Sequence, residues 1–235
     1  MKQIFLFIFI FFSCINLYSQ TLKEEYLECA RQKYYIQDYQ EAIDYFTKII
    51  EINPKDSVTY NDRGLTKELL KDYAGAIEDY TKEIEIDTLF ADSYFFRGMA
   101  KSKISDYKGA ILDYKKVVIL EYGNADAHYF MGLAKFELKD IKGAIIDYID
   151  AISIRNNHNG ALCSRGLAKE QLKDYNAALE DYNSAILYDS TIPDYYLKRG
   201  ILKIKMKHKN EGKLDLKKYN ELLLFNKNNK SQYHK

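Results

Sequence analysis

"KDYAGAIEDY", residues 71–80, reads as one unremarkable amphipathic helix until the rest of the chain is laid beside it: "SDYKGAILDY" starts at 105, "KDIKGAIIDY" at 139 and "KDYNAALEDY" at 173. Each copy starts 34 residues after the last. A fixed period of that length means that one supersecondary unit has been copied, so the shared residues answer first to packing between copies. Alignment on the central alanine gives Ala42, Ala76, Ala110, Ala144 and Ala178, with Gly212 as a degraded sixth member. Twelve residues earlier stand Ala30, Gly64, Gly98, Gly132, Gly166 and Gly200, and four residues later Phe46, Tyr80, Tyr114, Tyr148, Tyr182 and Leu216. Small residues at two fixed points let two helices approach closely, and a ring beside the contact fills the remaining gap.

Each unit is therefore expected to be a helical hairpin. In the second copy "SVTYNDRGLTKELL" has helical periodicity, "KDY" supplies the turn, and "AGAIEDYTKEIEI" continues as the second helix before "DT". An aliphatic residue or methionine closes each first helix, at Ile36, Leu70, Ile104, Leu138, Leu172 and Met206. Ile43, Ile77, Ile111, Ile145 and Leu179 follow the central alanine and continue the apolar stripe seven residues on. Pro193 sits where a helix starts and Pro54 where one ends. A single hairpin cannot bury both of its apolar faces, so the copies must stack.

A 34-residue helical hairpin with this pattern resembles the tetratricopeptide repeat. The residues that carry the resemblance are Tyr26, Ala30, Ala42, Phe46 and Pro54 in the first copy, Tyr60, Gly64, Ala76 and Tyr80 in the second, and Tyr94, Gly98, Ala110 and Tyr114 in the third. Copies after the first lack the final proline, and the sixth departs at Gly212, Lys213 and Leu216. The resemblance implies an all-α, right-handed superhelical solenoid. Six tandem repeats are expected at 23–56, 57–90, 91–124, 125–158, 159–192 and a degenerate 193–226, followed by a polar tail at 227–235.

A second ladder runs through the copies. The residue before each small residue is Cys29, Arg63, Arg97, Met131, Arg165 or Arg199, and the residue before each inner ring is Tyr45, Asp79, Asp113, Asp147, Asp181 or Asp215. Only the fourth copy breaks step, with Met131 opposite Asp147. The ladder predicts an Arg–Asp bridge between the two helices of one repeat, partly buried and structural. Lys33, Lys67, Lys101, Lys135, Lys169 and Lys203, four residues after the first ladder, are expected to cover the same face with their stems and keep their heads solvated.

The chain opens "MKQIFLFIFIFFSCINLYSQ", a lysine and then nine apolar residues from Ile4 to Phe12. That is the layout of a secretory signal peptide, too short for a comfortable membrane span. Cleavage after Ser19 is the expected processing. Lipidation at Cys14, in a sequence resembling a bacterial lipoprotein box, and an uncleaved anchor are the alternatives. No integral span is then expected in the mature chain, and the location is the periplasm or the outer membrane, otherwise the medium. Cys29 and Cys163 fall in different repeats, too far apart for a disulfide. Charge is uneven: residues 20–197 carry 22 Lys/Arg against 31 Asp/Glu, and residues 198–235 carry 12 against 3. The acidic body argues against nucleic acid as a partner, while the basic end reads as a polar terminal cap.

Nothing in the sequence assembles a catalytic or cofactor motif. His128, His158, His208 and His234 show no metal-ligand spacing, and the glycines sit at packing positions rather than in a phosphate loop. The chain is read as a non-enzymatic scaffold without cofactor or metal. The family resemblance implies that the first helices line a concave groove for a protein or peptide. Carried onto this sequence, the groove comprises Asn61, Leu65, Phe95, Phe96, Met99, Tyr129, Phe130, Leu133 and Phe136. Its aromatics form a candidate apolar anchor, with packing between neighbouring first helices as the competing role. A carboxylate clamp is not expected, because Arg31 and Leu65 stand where the family's clamp has asparagine. Self-association of acidic body and basic end is the alternative function.

Overall fold

The computed structural model describes the backbone of residues 2–232 and the side chains of residues 17–227. Within that range the chain forms α-helices and no strands: α1 (Lys2–Tyr35), α2 (Tyr39–Ile52), α3 (Ser57–Leu69), α4 (Tyr73–Ile86), α5 (Ala91–Lys103), α6 (Tyr107–Leu120), α7 (Ala125–Glu137), α8 (Ile141–Ile154), α9 (Asn159–Gln171), α10 (Tyr175–Tyr188), α11 (Pro193–Lys205) and α12 (Lys209–Gln232). They divide into two compact units, Met1–Asp106 and Tyr107–Lys235, the division falling in the turn of the third hairpin. In the first unit α1 to α5 pack each on the next, and in the second α6 to α12 do the same. The side chain of Cys14 lies outside the described residues, as do those of the apolar leader. Among the described residues no helix is long and apolar enough to cross a membrane.

The turn chemistry explains the opening motif. Lys71, Lys139 and Lys173 adopt left-handed backbone, φ 62°, 66° and 64°, and Gln37, Ser105 and Lys207 do the same at their turns. A residue in that conformation just past a helix end stops the helix and reverses the chain. The aspartate that follows caps the second helix: Asp72 accepts from the Gly75 N–H at 3.0 Å, Asp140 from Gly143 at 3.0 Å and Asp174 from Ala177 at 3.3 Å. Each cap satisfies an N–H that the first helical turn leaves without a partner. Pro193 occupies the first turn of α11, where a missing N–H costs nothing.

The close approach inferred from the small residues is present. Ala42, Ala76, Ala110, Ala144 and Ala178 are fully buried, as are Tyr80, Tyr114, Tyr148 and Tyr182. A Cβ added to Gly64 would stand 2.8 Å from the Tyr80 ring, one on Gly132 2.6 Å from Tyr148, and one on Gly166 2.8 Å from Tyr182. In the sixth hairpin two glycines meet instead, and a Cβ on Gly212 would lie 2.7 Å from the Gly200 carbonyl oxygen. Loss of the ring at Leu216 is thus accommodated by a tighter backbone contact.

The bridge ladder is built as expected, with one correction. Arg63 grips Asp79 through Nη2 to Oδ1 at 2.6 Å and Nε to Oδ2 at 3.0 Å, and Arg165–Asp181 and Arg199–Asp215 repeat the fork. Arg63 also donates to Thr47, and Arg199 to Asn183, on the second helix of the preceding hairpin. Four of the six lysine heads are drawn inward instead of being left to solvent, while Lys33 pairs with exposed Glu41. Lys67, Lys135, Lys169 and Lys203 place Nζ 2.8, 2.7, 2.8 and 3.1 Å from the same buried aspartates. A carboxylate this deeply buried needs every donor within reach, so the lysine stem bends inward and its ammonium joins the pair.

Candidate functional site

The nine residues expected to line the groove fall into two sets, one on each unit, and all nine are half-buried. In the first unit Asn61 and Leu65 lie on α3, and Phe95, Phe96 and Met99 on α5. Asn61 Nδ2 donates to Glu83 Oε2 at 2.9 Å, so its amide serves a buried carboxylate on the next helix. Burial raises the Glu83 pKa, and the Asn61 and Ser93 side chains oppose the shift. Phe96 stacks on Tyr80 with centroids 6.0 Å apart, and Phe95 meets Phe96 edge-on at 6.1 Å. One face of Phe96 is therefore spent on the junction between consecutive hairpins.

Leu65 also lines a cavity of about 220 Å³ that sequence reasoning did not single out. Its other walls include Arg31, Tyr34 and Tyr35 of α1, Phe46 of α2 and Asp62 of α3. Burial raises the Asp62 pKa, the Arg31 charge opposes the shift and Asp56 adds to it. Tyr35 is 81% exposed and meets Tyr34 edge-on at 6.3 Å. A cation, a carboxylate and phenol rings around an apolar floor are suited to gripping a peptide side chain together with its backbone.

In the second unit Tyr129, Phe130, Leu133 and Phe136 lie on α7. Phe130 stacks on Tyr114 at 6.0 Å and 27°, the geometry of Phe96 on Tyr80 one repeat earlier. Tyr129 contacts Phe130, Tyr148 and, at 4.7 Å between centroids, His158. Burial raises its phenol pKa, against a hydrogen bond with Ser164. Tyr129, Leu133 and Phe136 pack on the cluster of Ala144, Tyr148 and Ala161. These side chains thus both pack between hairpins and keep part of their apolar surface in solvent.

His158 caps α9 by accepting from the Ala161 N–H at 3.2 Å. Burial lowers its pKa, with the Arg155 charge acting in the same direction and Asp126 opposing both. Cys29 and Cys163 are free thiols, and burial raises the Cys163 pKa to about 11, the opposite of an activated nucleophile.

One grouping was invisible as a linear motif. His128 of α7 comes together with Asp147 and Asp150 of α8, with one ligand atom from each lying within 4.8 Å of the others. His128 Nδ1 is 3.7 Å from Asp150 Oδ2 and has no hydrogen-bond partner. The signal that could have found it was the break at Met131.

The tetratricopeptide-repeat family model matches residues 34–56, 125–158 and 160–191. Among solved structures, the MamA protein is similar at 26% identity and TM-score 0.68, over 72% of this chain and 92% of that one. A tetratricopeptide-repeat protein from Parabacteroides merdae reaches TM-score 0.75 at 16% identity, over 84% and 78%. YrrB, described as a TPR protein with an unusual peptide-binding site, is 21% identical with TM-score 0.59, over 75% and 91%. The last two likenesses speak to fold alone. No curated protein sequence matches the chain.

Proposed function

Starting from a chain that belongs to the tetratricopeptide-repeat family, whose members are generally non-catalytic scaffolds for proteins or peptides, we propose that this one is exported and grips a peptide segment of an envelope partner along its first-helix face. The observation that carries the reading is the cavity of about 220 Å³ beside Leu65, walled by Arg31, Tyr35 and Asp62. Exposed rings with a cation and a carboxylate beside them make an anchor for a partner side chain and its backbone. In the same unit, half-buried Phe95 and Met99 on α5 add apolar surface on a first helix, and in the second unit Tyr129 and Phe136 on α7 do the same by themselves. Export rests on the leader alone. The reading is supported by YrrB, a neighbour in fold described as having an unusual peptide-binding site.

The test is site-directed photocrosslinking in the producing cell, with a photoreactive phenylalanine at Tyr35 or Met99 and a control at exposed Leu112 on α6. Crosslinks to one partner from Tyr35 or Met99 but not from Leu112 support a first-helix site. Equal yield from Leu112 removes it. Mass analysis of the mature chain checks the address: a start at Gln20 supports cleavage, a lipidated Cys14 redirects the protein to a membrane surface, and an intact Met1 removes export by cleavage.

A second reading, self-association, is favoured by α12, which leaves Leu214, Leu224 and Phe225 exposed beside its lysines. Sedimentation across a salt series separates the two readings. A dimer that dissociates as salt rises identifies contact between the acidic body and the basic end, and a monomer throughout removes it.

A further inference from the structure

The fourth hairpin differs from the others at three positions that meet in one place. Residues sixteen before the central alanine are Tyr26, Tyr60, Tyr94, His128, Leu162 and Tyr196, and those six after it are Lys48, Lys82, Lys116, Asp150, Ser184 and Lys218. In the second and sixth hairpins the arginine of the bridge lies over that tyrosine, 5.6 Å for Arg63 on Tyr60 and 5.5 Å for Arg199 on Tyr196. The fourth hairpin has His128, Met131 and Asp150 where those two have tyrosine, arginine and lysine. The arginine that grips the buried aspartate has been replaced by a thioether and a surface lysine by an anion, while the aspartate is kept.

Asp147 therefore sits in the same buried place as Asp79 and Asp181 without the arginine fork that serves them. Its side chain is 4% exposed, and its ion-pair partner is Lys135, with Nζ 2.7 Å from Oδ2, whereas Asp79 and Asp181 have the equivalent lysine and an arginine fork as well. His128 Nδ1 is a buried nitrogen without a hydrogen bond. A buried carboxylate with one cation where its counterparts have two, a buried imidazole nitrogen without a hydrogen bond and a second carboxylate leave a place for one more positive charge.

We propose that the fourth hairpin binds a first-row divalent metal ion, represented by Zn2+, through His128, Asp147 and Asp150. Bonds of about 2.0–2.2 Å hold two ligands of one zinc roughly 3.4 Å apart. The 3.7 Å between His128 Nδ1 and Asp150 Oδ2 is close to that, and ligand atoms within 4.8 Å come into range by side-chain rotation. One imidazole with two carboxylates suits zinc and its transition-metal neighbours better than calcium, which takes six to eight oxygens. The ligands come from both helices of the hairpin, so the ion ties α7 to α8 where the arginine fork ties the second, fifth and sixth pairs. Neutral imidazole and carboxylate are the liganding forms, and binding releases whatever protons they carry.

The test is calorimetric titration of the tag-free chain with ZnCl2 alone at neutral pH, beside two variants. Asp150→Asn alters a half-exposed ligand and leaves the packing untouched. The triple variant His128→Tyr/Met131→Arg/Asp150→Lys installs the residues of the second and sixth hairpins and is expected to fold. The wild-type chain is expected to take up one Zn2+, with Asp150→Asn at least about tenfold weaker and the triple variant without the site. The His128 ring signals should shift on zinc addition in NMR. Binding to the triple variant within twofold of wild type, or His128 signals that do not move, overturns the proposal. A wild-type chain that binds no zinc and is instead stabilised only by lowering the pH overturns it too, making the cluster a proton site.

Discussion

The fourth and fifth hairpins belong to the same unit and share one skeleton, yet they treat the same buried carboxylate differently. Both bury an alanine and a tyrosine at the crossing and press that ring onto a glycine. In the fifth, Asp181 receives Arg165 through two hydrogen bonds and Lys169 at 2.8 Å. In the fourth, Asp147 has Lys135, His128 and a second carboxylate. The difference separates two kinds of constraint. In these two hairpins ring, alanine and glycine are held by shape, since a Cβ on the glycine would stand under 3 Å from the ring, whereas the charge set only has to compensate one buried anion and can change its chemistry.

The comparison breaks hardest if the fifth hairpin is made to imitate the fourth. Arg165→Met leaves Asp181 buried with Lys169 alone, and about 3 kcal/mol of stability should be lost in urea unfolding, because an uncompensated buried charge remains. A loss under about 0.5 kcal/mol would mean that the bridge is ornamental. The reverse change, Met131→Arg, should be neutral or stabilising in chelator.

Shape is tested next. Gly166→Ala and Gly132→Ala should each cost about 2 kcal/mol, because the added methyl meets the inner tyrosine at under 3 Å and forces a shift in a packed core. Equal losses in the two hairpins support a common packing rule, and thermal unfolding of both variants reads it directly. Smaller still is the cap: Asp174→Ala and Asp140→Ala should each lower stability by about 1 kcal/mol, again alike in the two hairpins.

The least effect, and the one in which the hairpins should part, is with pH. Burial raises the Asp147 pKa above the ordinary 3.8, Lys135 and His128 oppose the shift, and Asp150 adds to it. The folded state then holds this proton more tightly than the unfolded chain does. The contribution is present below pH 3.8 and is lost as pH rises through the elevated value. In chelator, Asp147→Asn should flatten the fall in stability between pH 3.8 and neutrality. An unchanged slope would place Asp147 in a better-compensated setting than its neighbours suggest.

The repeat was legible because its defining contacts lie at constant sequence separations. The small residue meets the ring sixteen positions on, and the arginine meets the aspartate sixteen positions on, in copy after copy. The Met131 break was visible for the same reason. The inward turn of Lys67, Lys135, Lys169 and Lys203 was not legible, because sequence gives the side chain's position but not the depth of the anion it can reach. The nine residues assigned to a groove lie on α3, α5 and α7, the first helices of their hairpins, but whether a ring such as Phe96 spends a face on Tyr80 depends on how consecutive hairpins rotate against each other.

By itself, then, the sequence determined the helical hairpin, its period and the identity of the residues at each crossing, all properties of spacing along one chain. Only the tertiary structure decided which donors converge on the buried aspartates, that Arg31, Tyr35, Asp62 and Leu65 share a cavity, and that His128 meets Asp147 and Asp150. Those outcomes depend on helix rotation and side-chain rotamers within a few ångströms, and hydrogen bonding, ion pairing and metal ligation all fall off within that distance.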